Sequence, residues 1–267
     1  MSDKSGLIQL KEAGWEIQSI NFADVIIREE FYTELEELAQ ILTVSQFSIE
    51  DSIIKRGGGL ADQTQELTAA LNDKDWWKNN ITVSNTIEFQ GQFEPIVSSS
   101  TSHEIDHLKK NASGQLIALE IEWNNKDEFF DRDFQSIRRL YELNVIDLGI
   151  IITRSQHLED GLLQMISHYF EKWGIQKLED FSKLHRHFTD HQGRDKFSFP
   201  TNAQAKAILA AERHPEKSFA QASAEVFKVN KFGGTTTNWR QLQKRVQRRD
   251  AGRTPMLFLG MPQSMFV

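Results

Sequence analysis

The spacing of apolar residues changes twice along this chain, and the changes divide it. Between Asn21 and Thr43 apolar positions fall at helical spacing, with Val25-Ile26-Ile27 followed by Phe31, Leu35, Leu38 and Ile41-Leu42. A helical first third is expected. Gly57-Gly58-Gly59 breaks the pattern, because consecutive glycines do not hold a helix interior. Helix should resume over 62–71, followed by a stretch over 73–80 with two tryptophans. The period then shortens. Residues 85–93 alternate weakly, Ser98-Ser99-Ser100-Thr101-Ser102 reads as a polar loop, and 103–108 and 116–123 read as strands. Phe130, Phe134, Ile137, Leu140 and Tyr141 form one stripe of a helix over 129–144, and the apolar run over 145–153 reads as a buried strand. Helices over 158–172, 201–211, 217–229 and 237–248 follow, with 176–200 irregular, and 256–260 is a final strand. Strand, strand, helix, strand predicts an α/β fold with a central mixed β-sheet flanked by helices.

Composition narrows the function classes. The 267 residues are 39 % hydrophobic and 26 % charged, an ordinary globular balance. The absence of cysteine removes disulfides and thiolate metal sites and fits a cytoplasmic protein. No apolar run approaches the roughly 18 residues that a membrane helix needs, and no secretory signal follows the polar start, so no membrane partner is expected. The net charge of −7 argues against nonspecific coating of nucleic acid. Residues 228–253 nonetheless carry +7, a candidate phosphate-binding surface.

Candidate chemistry lies in His103-Glu104-Ile105-Asp106 and Leu119-Glu120-Ile121-Glu122-Trp123. Strand side chains alternate, so Glu120 and Glu122 share a face, about 7 Å apart at about 3.3 Å per residue. Ile117, Leu119, Ile121 and Trp123 fill the other face. Ala112-Ser113-Gly114 fits a three-residue hairpin loop closed by a left-handed glycine. Counting back from that turn sets Asp106 opposite Glu120, whereas a slip of one residue would send it to the other face. Three acids on one face repel one another. A hard divalent cation such as Mg²⁺ offsets that charge.

These residues resemble a known motif. Asp106 followed by Glu120-Ile121-Glu122 looks like the PD-(D/E)xK nuclease pattern, with glutamate where most of that superfamily has lysine, as in BamHI-type restriction endonucleases. More segments are similar to the BglII-type family: Trp77-Lys78-Asn79-Asn80-Ile81, Ala118 to Asp133, Ile146 to Arg154, Thr235-Thr236-Thr237-Asn238-Trp239, Arg248 to Gly252 and Pro255 to Gly260. The resemblance implies a restriction-endonuclease-like fold and a type II enzyme that cuts double-stranded DNA as a homodimer at a short palindromic site. Its genetic partner would be a cognate DNA methyltransferase. Asp106 and Glu120 would bind Mg²⁺, Glu122 would be a ligand or general base, and Asn80 matches an additional site position. One endonuclease domain over 1–267 is expected, with a mainly helical part over 1–80, a catalytic sheet core over 81–155, and recognition elements plus the last core strand over 156–267. A non-cleaving DNA-binding protein on the same scaffold is the alternative.

Other candidates follow from position. Asn124, Asn125 and Lys126 end the catalytic strand, and such residues suit base edges or phosphates in the major groove. Arg132 either contacts DNA or pairs with neighbouring aspartates. Thr235, Thr236, Thr237 and Asn238, with Arg248, Arg249 and Arg253 of the Arg245–Arg253 segment, are expected to contact phosphates and some bases. Lys55, Arg56 and the following glycines lack the spacing of a nucleotide-binding loop. The resemblance implies that the helix over 129–144 is the dimer element, while its Arg138 and Arg139 suit a solvent-facing position equally well. His185, His187 and His191 read as a polar loop rather than a metal site. Trp76, Trp77 and Trp123 read as core.

Overall fold

The run Leu148–Arg154 (β5) is buried at every position, which suits a strand covered on both faces. It is the centre of the fold. In the computed structural model, which describes residues 5–56, 62–91 and 93–267, it lies parallel to Leu116–Glu122 (β4) on one side and to Met256–Met261 (β6) on the other. Glu16–Ile20 (β1) pairs antiparallel with β6. Ile96–Lys110 (β3) pairs antiparallel with β4, and Trp77–Ile87 (β2) with β3. The order is β1-β6-β5-β4-β3-β2, a mixed sheet.

Helices cover both faces. Glu128–Glu142 (α5) packs Phe130, Phe134, Ile137 and Leu140 against Ala118, Ile151 and Phe258, with Trp239 and Leu242 of Trp239–Arg248 (α10) beside them. Gly149 permits this approach, since a Cβ there would stand 2.5 Å from Ile137 Cγ2. On the other face Ile117, Leu119, Ile121, Ile150 and Ile152 meet a larger core. Its helices are Gly6–Glu12 (α1), Ala23–Glu29 (α2), Tyr32–Val44 (α3), Asp62–Asn72 (α4), Gln156–Lys172 (α6), Phe181–His187 (α7), Asn202–Glu212 (α8) and Phe219–Lys231 (α9). Local chemistry fixes several starts. Ser155 Oγ accepts from Leu158 N, Asn238 Oδ1 from Gln241 N, and Thr201 and Ser218 open capping boxes with Gln204 and Gln221.

Four expectations are corrected. The first third is not purely helical, because β1 lies between α1 and α2, and the predicted long helix is split at Glu30-Phe31. The serine-rich segment over 98–102 is strand, paired with β2 as part of a two-stranded ribbon. Most of β2 is exposed, so no alternation of apolar residues marked it, and residues 77–80 belong to that strand. Trp76 and Trp123 are core, but Trp77 is 52 % exposed. The stretch over 176–200 is not irregular throughout. It contains α7 and contributes Phe181, Phe197 and Phe199 to an aromatic cluster with Phe170 and Phe227. Gly57-Gly58-Gly59 lies outside the described residues.

Candidate active site

The hairpin between β3 and β4 sets the site. Asn111 N–H donates to Gln115 O at 2.9 Å, Gly114 N–H donates to Asn111 O at 3.1 Å, and Gly114 has φ +92°. Only glycine adopts that conformation without strain. The resulting register pairs Lys110 with Leu116, Leu108 with Ala118 and His107 with Leu119, as the turn predicts. One step further Asp106 faces Glu120, and the ladder changes character. Asp106 N–H donates to Glu120 Oε2 at 3.3 Å, and Ile121 N–H donates to Asp106 Oδ2 at 3.1 Å. Side chains thus replace backbone partners where β3 leaves β4.

A bulge on the other edge of β3 supports this departure. Trp77 pairs with Leu108 and Asn79 with Ile105, so Lys78 alone opposes both Asp106 and His107. The extra residue lets Ile105 and Leu108, three apart, pack into the same core beneath α5. Lys78 Nζ pairs with Glu104 Oε1 at 2.5 Å, and the negative charges of Asp106 and Glu120 add to the rise in its proton affinity.

The acids form a buried cluster with a member that the sequence reading missed. Glu120 and Glu122 are each 2 % exposed, and Asp133 of α5 is 1 % exposed. Arg132 Nη2 reaches Asp133 Oδ1 at 2.9 Å and Glu122 Oε1 at 3.4 Å, and Asn125 Nδ2 donates to Glu122 Oε2 at 2.7 Å. Burial pushes the Glu120 carboxyl well up, helped by the charges of Asp133 and Asp106. Burial, then Asp133, pushes Glu122 up to about 9. Burial also raises Asp133 to about 6, against the pull of Arg132. Asp133 had a legible signal. It sits within the apolar stripe, three residues after Phe130 and four before Ile137, where an acid is costly without a partner.

Among the described residues, no three acids or histidines enclose a point as a complete metal cage. Mg²⁺ does not require one, since it binds through one or two carboxylates and keeps several waters. Buried carboxylates whose proton affinity is raised first by burial and then by one another's charge are a donor set that fits such a cation.

The sequence matches the family described as Restriction endonuclease BglII/BglIII over residues 15–261. The chain belongs to this family. It is thus a restriction endonuclease, a DNA-binding hydrolase of the nuclease class, with a restriction-endonuclease-like α/β fold. No curated protein matches it. Among the described residues, no helix is long and apolar enough to cross a membrane.

The remaining expected site residues of this BglII/BglIII-family chain fall into three groups. Asn124, Asn125 and Lys126 lie against Thr235, Thr236 and Thr237. Lys126 bridges to Thr236, Asn125 N–H donates to Thr237 Oγ1 at 3.2 Å, and Thr237 N–H donates to Asn125 O at 2.9 Å. Asn238 is buried and caps α10. Arg154, missed in the sequence reading, is wholly buried behind both segments.

The basic segment divides. Arg245 is buried against Asp127 and Asp131 and serves the fold, while Lys231 donates to the carbonyls of Ile53 and Lys55. Arg248 pairs with Asp131 and Asp250 at the surface, and Arg249 and Arg253 are exposed. Arg138 pairs with Glu142.

Other residues stand apart. Asn80 is exposed on β2 opposite Glu104, and its neighbour Ile81 packs beneath α5, so Asn80 points to the opposite face. His185 and His187 belong to α7 rather than a loop and pair separately with Asp195 and Glu50.

Proposed function

We propose that this family member is a site-specific endonuclease that hydrolyses phosphodiester bonds of double-stranded DNA with Mg²⁺, leaving 5′-phosphate and 3′-hydroxyl ends. The observation that carries this reading is the reciprocal pair of hydrogen bonds joining Asp106 to β4, which holds Asp106 beside Glu120. These two acids would hold the cation. When bound, it would offset phosphate charge and make a nearby water more acidic. Glu122, in the same cluster, serves as a further ligand or takes the proton of the attacking water. Asp133 and Arg132 fix Glu122 from the helix side. Asn80 has no role in this acid cluster.

Asn124, Asn125 and Lys126, with Thr235 and Thr236, form the surface for base and phosphate contacts, while Thr237 and Asn238, expected from the sequence to contact DNA, are buried and hold that surface from beneath. Arg132, Arg248, Arg249 and Arg253 add positive charge to it. A homodimer matches a palindromic target by two-fold symmetry, with α5 as the contact element. A cognate methyltransferase in the same cytoplasm would protect the host's copies of that target.

Plasmid DNA incubated with the protein tests the reading. Discrete fragments are expected with Mg²⁺ and none with EDTA, and Glu120→Gln should abolish them. A salt-sensitive gel shift with no cleavage in any divalent cation would favour the non-cleaving alternative.

A further inference from the structure

Arg154 ends β5 and is completely buried. Its Nη1 donates to Asn124 Oδ1 at 3.1 Å, and its Nη2 donates to Thr236 Oγ1 at 2.9 Å. These acceptors belong to two segments far apart in sequence, one following β4 and one preceding α10. Glu159 Oε2 lies 3.3 Å from Nη2 and supplies the counter-charge. The guanidinium lies 4.9 Å from the Phe232 ring centre, which limits its movement.

Burying a charge is costly, and a well-packed apolar residue often serves cohesion as well or better. An arginine fork differs from such a residue in one respect: it fixes the distance and angle between two acceptors at once, which the single point of a lysine cannot do. The nearer segment is also tied to the acid cluster through the Asn125–Glu122 hydrogen bond.

We infer that Arg154 is a specificity-determining positioning residue: its two-pronged hydrogen bonding sets the spacing of the Asn124 and Thr236 segments and so couples correct target reading to cleavage. It rests on the function proposed above and touches no DNA itself. Without the fork the segments stay joined by the Asn125–Thr237 and Lys126–Thr236 bonds, but the Asn124 amide and the Thr236 hydroxyl lose their fixed spacing, and sites that satisfy only one of them are cut.

The test digests plasmid DNA to equal extents with wild type, Arg154→Met and Arg154→Lys, and sequences the fragment ends. Wild-type ends define the target. Relative to wild type, both variants should raise the share of ends at sites differing by one base pair about tenfold, within the range that one bidentate base contact contributes. A variant that is only less stable cuts the same sites more slowly, so this readout separates positioning from folding. Thermal melting is recorded in parallel. Should Arg154→Met fail to melt cooperatively, Arg154→Lys, which keeps the charge beside Glu159, decides. Unchanged end distributions, uncut DNA from variants that melt like wild type, or loss of cooperative melting in Arg154→Lys would each overturn the inference. Wild type giving no discrete fragments would instead sink the nuclease reading, and the inference with it.

Discussion

Asn125 Nδ2 donates to Glu122 Oε2 at 2.7 Å, joining a loop of the proposed DNA surface to a buried acid of β4. The bond favours ionised Glu122, but burial and Asp133 outweigh it and push the carboxyl up to about 9. The folded chain therefore keeps a proton that the unfolded chain, titrating near 4.5, releases first. Stability of the cation-free protein falls as pH rises from 4.5 towards 9, by on the order of 3 kcal/mol at pH 7 from this acid. Glu122→Gln removes that dependence. In EDTA, its melting temperature should exceed wild type's at pH 8, with the gap closing towards pH 5. An equal gap at every pH contradicts the assignment.

Asp106→Asn separates architecture from chemistry. The amide oxygen can still accept from Ile121 N–H, so stability should change by less than about 1 kcal/mol. The charge offered to a cation is lost, and cleavage should fall by at least about a hundredfold. Single-turnover rates and melting curves on one preparation check both halves.

The arginines after Trp239 should separate by role. Arg245→Ala removes the buried partner of Asp127 while Arg248 still pairs with Asp131, and should cost about 1–3 kcal/mol in urea denaturation. Arg249→Ala, at an exposed position, should leave stability within about 0.5 kcal/mol. It should reduce the salt dependence of DNA binding by about one phosphate contact, a change of about 0.9 in the slope of log K against log salt. Reversed behaviour of the two variants would refute the division.

Gly149→Ala probes the packing of α5 on β5. The added methyl meets Ile137, and overpacking costs about 1–3 kcal/mol. Urea midpoints should show that loss, with no change in the identity of the sites cut.

Much of this was legible because local rules agreed with the fold. Gly114 fixed the hairpin register, and with it the meeting of Asp106 and Glu120. The apolar run over 145–153 marked the central strand, which forms over Leu148–Arg154. What escaped was decided by distant parts of the chain. Asp133 carried a local hint as an acid within an apolar stripe, but the acid that it meets, Glu122, lies on a different element. Arg154 read as the end of a strand, because its acceptors lie 30 and 82 residues away. Residues 98–102 lacked apolar alternation because their strand lies in a ribbon whose partner β2 is largely exposed.

The sheet closes its first strand on its last: β1 hydrogen-bonds to β6, and β6 is also the parallel neighbour of the central strand. During synthesis, then, the sheet under the acids cannot be completed until residues near 260 emerge from the ribosome. A chain halted earlier leaves β1 without its ladder and β5 with an open edge, so the sheet that carries these carboxylates reaches its full width only with its last strand.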